Sequence, residues 1–229
     1  MISIWRLPLP EGPDDAGLLT LLDAAERQRA ARYLNAPARR RFLLCRAALR
    51  LLLARQLSLP PLMLQLHVND YGKPYLAEPV ADLAFNLTHS DELGLIAISR
   101  AGPVGVDVES WRDTRQMDAI AQRCFAAAEY QRWQDLAQSE RTPAFFKLWT
   151  RKEAFAKAVG RGIALGLEHI EFGQRGELIA VPPDCGHVGD WWVCDLDVAE
   201  GYSAAVATAG ADARVKIEDF VWDGRELGV

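Results

Sequence analysis

The chain is poor in cysteine and histidine, with four of each among 229 residues. Cys45, Cys124, Cys185 and Cys194 are scattered and form no CxxC pair. That argues against a zinc knot or a disulfide framework and suits a reducing compartment. No apolar run approaches the roughly 18 residues needed for a membrane-spanning helix. The opening "MISIWRLPLPEGPDD" lacks a basic start followed by an apolar stretch. No secretion signal is therefore predicted, and a cytoplasmic protein is expected. There is no low-complexity segment, no long linker and no sequence-level repeat. What is present is a chain that is 50% apolar and 25% charged. Such a chain can bury one large core or two small ones.

The net charge of −5 is unevenly spread. From Arg27 to Arg55 there are nine arginines and no acid. A basic strip on an acidic chain fits an anionic ligand with several charges, either nucleic acid or a phosphorylated small molecule. Solvated helix faces account for the strip equally well.

Hydrophobic periodicity predicts a strand at "ISIWRL" and a helix over "DDAGLLTLLDAAERQRAARYL", with Asp14 or Asp15 as N-cap. A second helix is predicted over "APARRRFLLCRAALRLLLARQL", on which Arg39, Arg46 and Arg50 share a face. A short strand "LQLHV" and a turn "NDYGKP" follow, then strands at "LAFNL", "LGLIAIS" and "VGVDVE". A helical region is expected from about Arg115 to Val159, broken near Ser139 to Pro143. Strands return at "HIEF", "WWVCDL", "YSAAVAT" and "VKIEDFVW". Strand, helices, strands thus occurs twice. The expectation is an α+β fold of two similar α/β halves, residues 1–103 and 104–229.

"GVDVES" places Asp107 and Glu109 two apart, on one face of a strand, with Val106 and Val108 on the other. Paired carboxylates repel unless a cation joins them, and magnesium accepts such oxygens along with phosphate. An exposed strand edge gives the same alternation. In the predicted helix over 144–159, Trp149, Glu153 and Lys157 fall at i, i+4 and i+8. Glu153 and Lys157 form either a helix-stabilising pair, worth about 0.2–0.5 kcal/mol, or a third metal-binding carboxylate with a lysine for phosphate. "FNLTHS" puts Thr88, His89 and Ser90 directly after an apolar strand, where hydroxyls and imidazole can hold a phosphate. "YGKP" sets Lys73 in a tight turn, where most lysines are simply solvated.

Taken in order, "RRRFLLCRAALR", "YGKPYL", "FNLTHS", "GVDVE" and "LWTRKEAFAKAVGRG" resemble the 4'-phosphopantetheinyl transferases, in particular the surfactin-synthetase type. The motif-bearing span runs from about residue 39 to 162. The diagnostic pair is Gly105, Asp107 and Glu109 with Trp149, Lys152, Glu153 and Lys157. The resemblance implies two halves related by a pseudo-twofold, with the active site at their interface. It implies transfer of the phosphopantetheine arm of coenzyme A to a serine of an apo acyl or peptidyl carrier protein, with release of 3',5'-ADP.

By that resemblance Asp107, Glu109 and Glu153 hold Mg2+, or Mn2+, which binds the diphosphate. Lys157 clamps the diphosphate, and Glu153 is the candidate base toward the carrier serine, with a metal-bound hydroxide as the alternative. Arg46, Lys73 and His89 hold the 3'-phosphate and adenine end, joined by Arg41 and its neighbour Arg40. Thr88 stands where the family commonly has serine and keeps the hydroxyl for phosphate. The family's loop glutamate corresponds to Glu129, and Lys152 either touches phosphate or pairs with an acid. An acidic carrier is expected to dock along residues 112–135 of a monomeric enzyme serving secondary metabolism.

The rival expectations are a metal-dependent phosphoesterase, which would share the carboxylates, and a nucleotide-binding module using the arginine strip. Against the latter stand the net charge, the lack of a nucleic-acid motif and three acids that a pure binder does not need. No nucleic acid and no membrane are expected as partners.

Overall fold

The computed structural model describes residues 1–12, 16–112 and 116–222. Asp14 and Asp15, the expected N-cap, and Arg115, the expected start of the second helical region, lie outside these residues. The described chain is a mixed fold with six α-helices and four sheets, in agreement with the α+β class.

The first strand, β1 (Ile2–Pro8), is followed by α1 (Ala16–Thr20), α2 (Ala24–Ala31) and α3 (Ala36–Leu57). The single helix expected over residues 14–34 is therefore two. The break has a local cause in Asp23. Its carboxylate accepts from the Glu26 amide at 2.9 Å, and Glu26 accepts from the Asp23 amide at 3.2 Å. This reciprocal capping box starts a new helix at residue 24. Helix α3 has the expected bounds, capped by Asn35 and ended by Ser58 in the left-handed region (φ 54).

Strands β2 (Gln65–Val68) and β3 (Pro74–Glu78) form a hairpin around the "NDYGKP" turn. Next come β4 (Ala84–Ser90), β5 (Leu93–Ser99) and β6 (Val104–Ser110). β4 runs on through Thr88, His89 and Ser90, so these three belong to the strand and do not follow it. Helices α4 (Met117–Cys124), α5 (Ala127–Gln134) and α6 (Gln138–Val159) follow. The interruption before α6 lies at residues 135–137, earlier than expected. Pro143 sits inside α6, near its start. The "HIEF" strand shrinks to β7 (Glu171–Phe172), paired with β8 (Leu178–Ala180). The chain ends through β9 (Trp191–Asp195), β10 (Tyr202–Ala209) and β11 (Val215–Asp219).

The first sheet has the order β11-β1-β5-β4 and the second β6-β10-β9. β11 lies parallel to β1, with Ile2 opposite Val215; the first sheet therefore takes its edge strand from the tail of the chain. Strand alternation sorts three cores. Leu7, Phe85, Ile96 and Ile98 face the leucines of α3. Ile2, Ile4, Leu95 and Ala97 face Val104, Val106, Val108 and Val206 of the second sheet. On that sheet's far side Ala205 and Ala207 pack with Ala154, Phe155 and Ala158 of α6. The layers run helix, sheet, sheet, helix, and β4 and β6 are edge strands of the two facing sheets.

Candidate active site

Gly105 determines how β6 meets α6. A Cβ at this position would lie 2.1 Å from the Ala154 carbonyl oxygen and 2.3 Å from the Ala158 amide nitrogen. Only glycine lets the strand lie directly on the helix backbone. Two residues on, Asp107 shares that face, while Val106 and Val108 are buried between the sheets. Across the contact, α6 presents Glu153 and, one turn later, Lys157.

The result is a buried acidic cluster around one amine. Lys157 Nζ lies 2.6 Å from Asp107 Oδ1 and donates to Thr88 Oγ1 at 3.2 Å. Thr88 Oγ1 in turn donates to Asp107 Oδ1 at 3.0 Å. On Glu109, Oε2 accepts from Ser90 Oγ at 3.0 Å and from Arg112 at 3.2 Å. Burial, then the neighbouring Asp107, raises the Glu109 pKa, against the pull of Ser90, Arg112 and Lys157. Glu153 is 9% exposed. Burial pushes its pKa up to about 7; Asp107 and Glu109 add to the shift and Lys157 opposes it.

Four buried side-chain polar atoms among the described residues have no hydrogen-bond partner, and two of them are Asp107 Oδ2 and Glu153 Oε1. A buried carboxylate oxygen without a donor is costly. Two such oxygens in one cluster are open to a cation or a further donor. Hard oxygen donors with an adjoining amine for phosphate suit a divalent ion of the magnesium type. Among the described residues no three acidic, imidazole or thiol groups are already gathered as a metal cage. Lys157 and Thr88 both satisfy the same Asp107 oxygen, Oδ1.

The remaining expected residues divide among several places. Arg46 and His89 line one cavity of about 320 Å³, together with Arg29, Tyr33 and Thr88. Arg46 is held over the Phe42 ring at 5.7 Å. The His89 ring presents area to solvent, yet crowding by protein atoms, then Arg41 and Lys157, lowers its pKa. Arg41 lines a second, larger cavity of about 770 Å³ with Arg39, Arg40, Asp91 and Tyr202. The Lys73 amine is not brought to Arg46 and His89. It donates to the carbonyls of Val104 (3.0 Å) and Ala158 (3.3 Å), and burial lowers its pKa to about 8. Beside it Asn69 donates to the Gly160 carbonyl at 2.9 Å, so the hairpin turn caps the end of α6.

Two charges in the diagnostic stretches are internal. Arg50, expected on one face with Arg39 and Arg46, is fully buried. It bonds Asp23, Glu26 and the carbonyls of Pro61 and Leu64. Lys152 is also fully buried. It lies 2.7 Å from Glu129 and donates to the Leu167 and Ile170 carbonyls. Glu129 is completed by the Ala126 and Phe172 amides, both at 2.7 Å. Lys152 therefore pairs with an acid and does not face the cluster. Trp149 stacks on Phe145 with centroids 6.0 Å apart.

Sequence reasoning missed Ser90 and Arg112 as partners of Glu109. A signal existed for Ser90: Thr88 and Ser90 repeat the two-residue spacing of Asp107 and Glu109. Arg112 carried none.

Comparisons with known proteins place the chain in a family. The profile of the 4'-phosphopantetheinyl transferase superfamily matches residues 103–207, and that of the 4'-phosphopantetheinyl transferase N-terminal region matches residues 10–101. The chain is 33% identical to the 4'-phosphopantetheinyl transferase HetI of Nostoc sp., covering 91% of this chain and 88% of that one. It is 30% identical to a 4'-phosphopantetheinyl transferase of Bacillus subtilis, covering 90% and 89%. Against the 4'-phosphopantetheinyl transferase Sfp of Bacillus subtilis it is 28% identical over 85% of each chain.

Proposed function

The chain belongs to the 4'-phosphopantetheinyl transferase superfamily, and on that premise we propose how its own residues carry the reaction. The enzyme moves the 4'-phosphopantetheine arm of coenzyme A to a serine of an apo carrier protein and releases 3',5'-ADP. The observation that carries our reading is the pair of orphan oxygens, Asp107 Oδ2 and Glu153 Oε1, beside the Lys157 amine.

Asp107, Glu109 and Glu153 are assigned to a divalent ion, Mg2+ or Mn2+. When bound, that ion supplies charge stabilisation to the diphosphate. Lys157 lies between the cluster and Thr88, and is assigned to a diphosphate oxygen as a point charge. Glu153 is also assigned to take the proton of the attacking serine. Arg46 and His89, with Arg41 nearby, hold the 3'-phosphate and adenine end, while the Lys73 amine, held by the Val104 and Ala158 carbonyls, ties the hairpin to α6. Positioning and electrostatics do the rest, as phosphoryl transfer requires.

Several features support two halves related by a pseudo-twofold, with the site between them. β1 and β6 are both seven residues long. α3 and α6 are both 22 residues, each ended by a left-handed residue. The acidic cluster joins β4 of one half to β6 and α6 of the other. We place the division between the halves at residue 103, with β11 crossing back to complete the first sheet. The acidic carrier is assigned to the 112–135 stretch, and the enzyme acts as a monomer. No helix among the described residues is long and apolar enough to cross a membrane.

The test is incubation with coenzyme A, Mg2+ and a panel of apo acyl and peptidyl carriers. Mass spectrometry should show each served carrier gaining one phosphopantetheine arm. Asp107→Ala and Glu153→Gln should abolish the gain in folded protein. Activity surviving in both would refute the assignment of the cluster.

A further inference from the structure

β4 and β6 meet as edge strands of two sheets, and side chains take the place of a backbone ladder between them. Asn86 Oδ1 accepts from the Val106 amide at 2.9 Å. Ser90 Oγ accepts from the Ser110 amide at 3.1 Å. Between these anchors the strands are joined by hydroxyl-to-carboxylate bonds, Thr88 to Asp107 and Ser90 to Glu109, each 3.0 Å. Thr88 and Ser90 are both buried, at 8% and 6% exposure.

The direction of the Ser90 bond is fixed by its surroundings. A hydroxyl has one proton and two lone pairs. The Ser110 amide and, more distantly, Arg112 donate to the Ser90 oxygen. Ser110 Oγ gives its own proton to Asp91. The Ser90 proton then has two acceptors in reach, Glu109 Oε2 at 3.0 Å and Ser110 Oγ at 3.4 Å, and the nearer, charged one takes it. While Ser90 donates there, it cannot also donate to a phosphate.

We propose that Ser90 is a positioning residue for the transfer reaction, fixing one oxygen of Glu109 and leaving the other for the divalent ion, as Thr88 does for Asp107. This rests on the reading that the three carboxylates hold that ion. Groups that orient metal-binding carboxylates commonly change ion affinity by 10- to 100-fold when removed.

The experiment is a titration of the full chain with Mn2+ alone, reading free Mn2+ by electron paramagnetic resonance. Ser90→Ala should weaken binding about tenfold or more. Ser90→Thr, which keeps the hydroxyl, should restore it. Near-ultraviolet circular dichroism reports whether each variant keeps its packing. Thr88→Val, close to isosteric, makes the same test at Asp107 and decides the matter if Ser90→Ala fails to fold. Undiminished Mn2+ binding in a folded variant overturns the proposal; coupled with weaker coenzyme A binding, it would make the hydroxyl a phosphate ligand. An unaltered chain that binds no Mn2+ overturns the ion reading itself, a distinct result.

Discussion

Gly105 and Ala154 touch through backbone alone, with room for no side chain: a Cβ on Gly105 would stand 2.1 Å from the Ala154 carbonyl oxygen. This contact sets the distance between the carboxylates of β6 and the residues of α6. Gly105→Ala must push strand and helix apart. Overpacking of this kind costs about 1–3 kcal/mol, and the atoms in the way are backbone, which yields least. We expect about 3 kcal/mol lost in urea unfolding and transfer activity down by more than tenfold. A variant of unchanged stability would mean that the layers slide freely.

Glu153→Gln should abolish transfer and flatten the pH dependence of stability in metal-free buffer. The folded pKa of about 7 lies above the ordinary carboxylate value. Between the two, the folded chain keeps a proton that the unfolded chain has released. Stability is then full below about pH 4 and declines as pH rises toward 7. The decline is on the order of 3 kcal/mol. Glutamine has no proton to lose. Urea midpoints from pH 5 to 8 check this: equal slopes in both proteins would show that burial of Glu153 is not their source.

Lys152→Met leaves Glu129 as an uncompensated buried charge, which should cost about 3–5 kcal/mol. Adding Glu129→Gln removes that charge and keeps an acceptor oxygen for one of the two backbone amides, of Ala126 and Phe172. The double variant should recover part of the melting temperature, one amide remaining unpaired, and retain activity per folded molecule. If activity stays lost in a stable double variant, Lys152 acts in the chemistry.

Arg46→Ala should weaken coenzyme A binding by about 1.5–3 kcal/mol, roughly 10- to 100-fold. With dephospho-coenzyme A, which lacks the 3'-phosphate, the same substitution should cost little. Calorimetric titration with both ligands closes this cycle. An equal penalty for both would move Arg46 away from the 3'-phosphate. Lys73→Met, whose amine is engaged by two carbonyls, should lower the melting temperature as well as the affinity.

Features with a short sequence signature were legible before any coordinates. The i, i+2 spacing placed Asp107 and Glu109 on one face. The i, i+4 spacing placed Glu153 with Lys157. The continuous apolar pattern over residues 36–57 matched the bounds of α3. Features created by distant partners were not legible. Lys152 and Glu129 are 23 positions apart, and only the fold shows that each neutralises the other. Arg50 reads like Arg46 from periodicity alone, yet the capping box at Asp23 turns acids toward Arg50 and takes it out of the basic strip. The expected single helix over residues 14–34 failed for the same reason, because a cap signal at Asp23 outweighed an unbroken apolar pattern.

The parallel pairing of β11 with β1 joins Ile2 to Val215, and this has a consequence for how the chain is made. On the ribosome β1 waits until Val215 and its neighbours have been synthesised before its parallel partner arrives. Until then the free edge of β1 is open to other strands. Long-range closure of this kind is slow and exposed to mispairing. An N-terminal half expressed alone would carry that open edge permanently, so reconstitution from separate halves should require the segment 215–219 to be supplied with the first half.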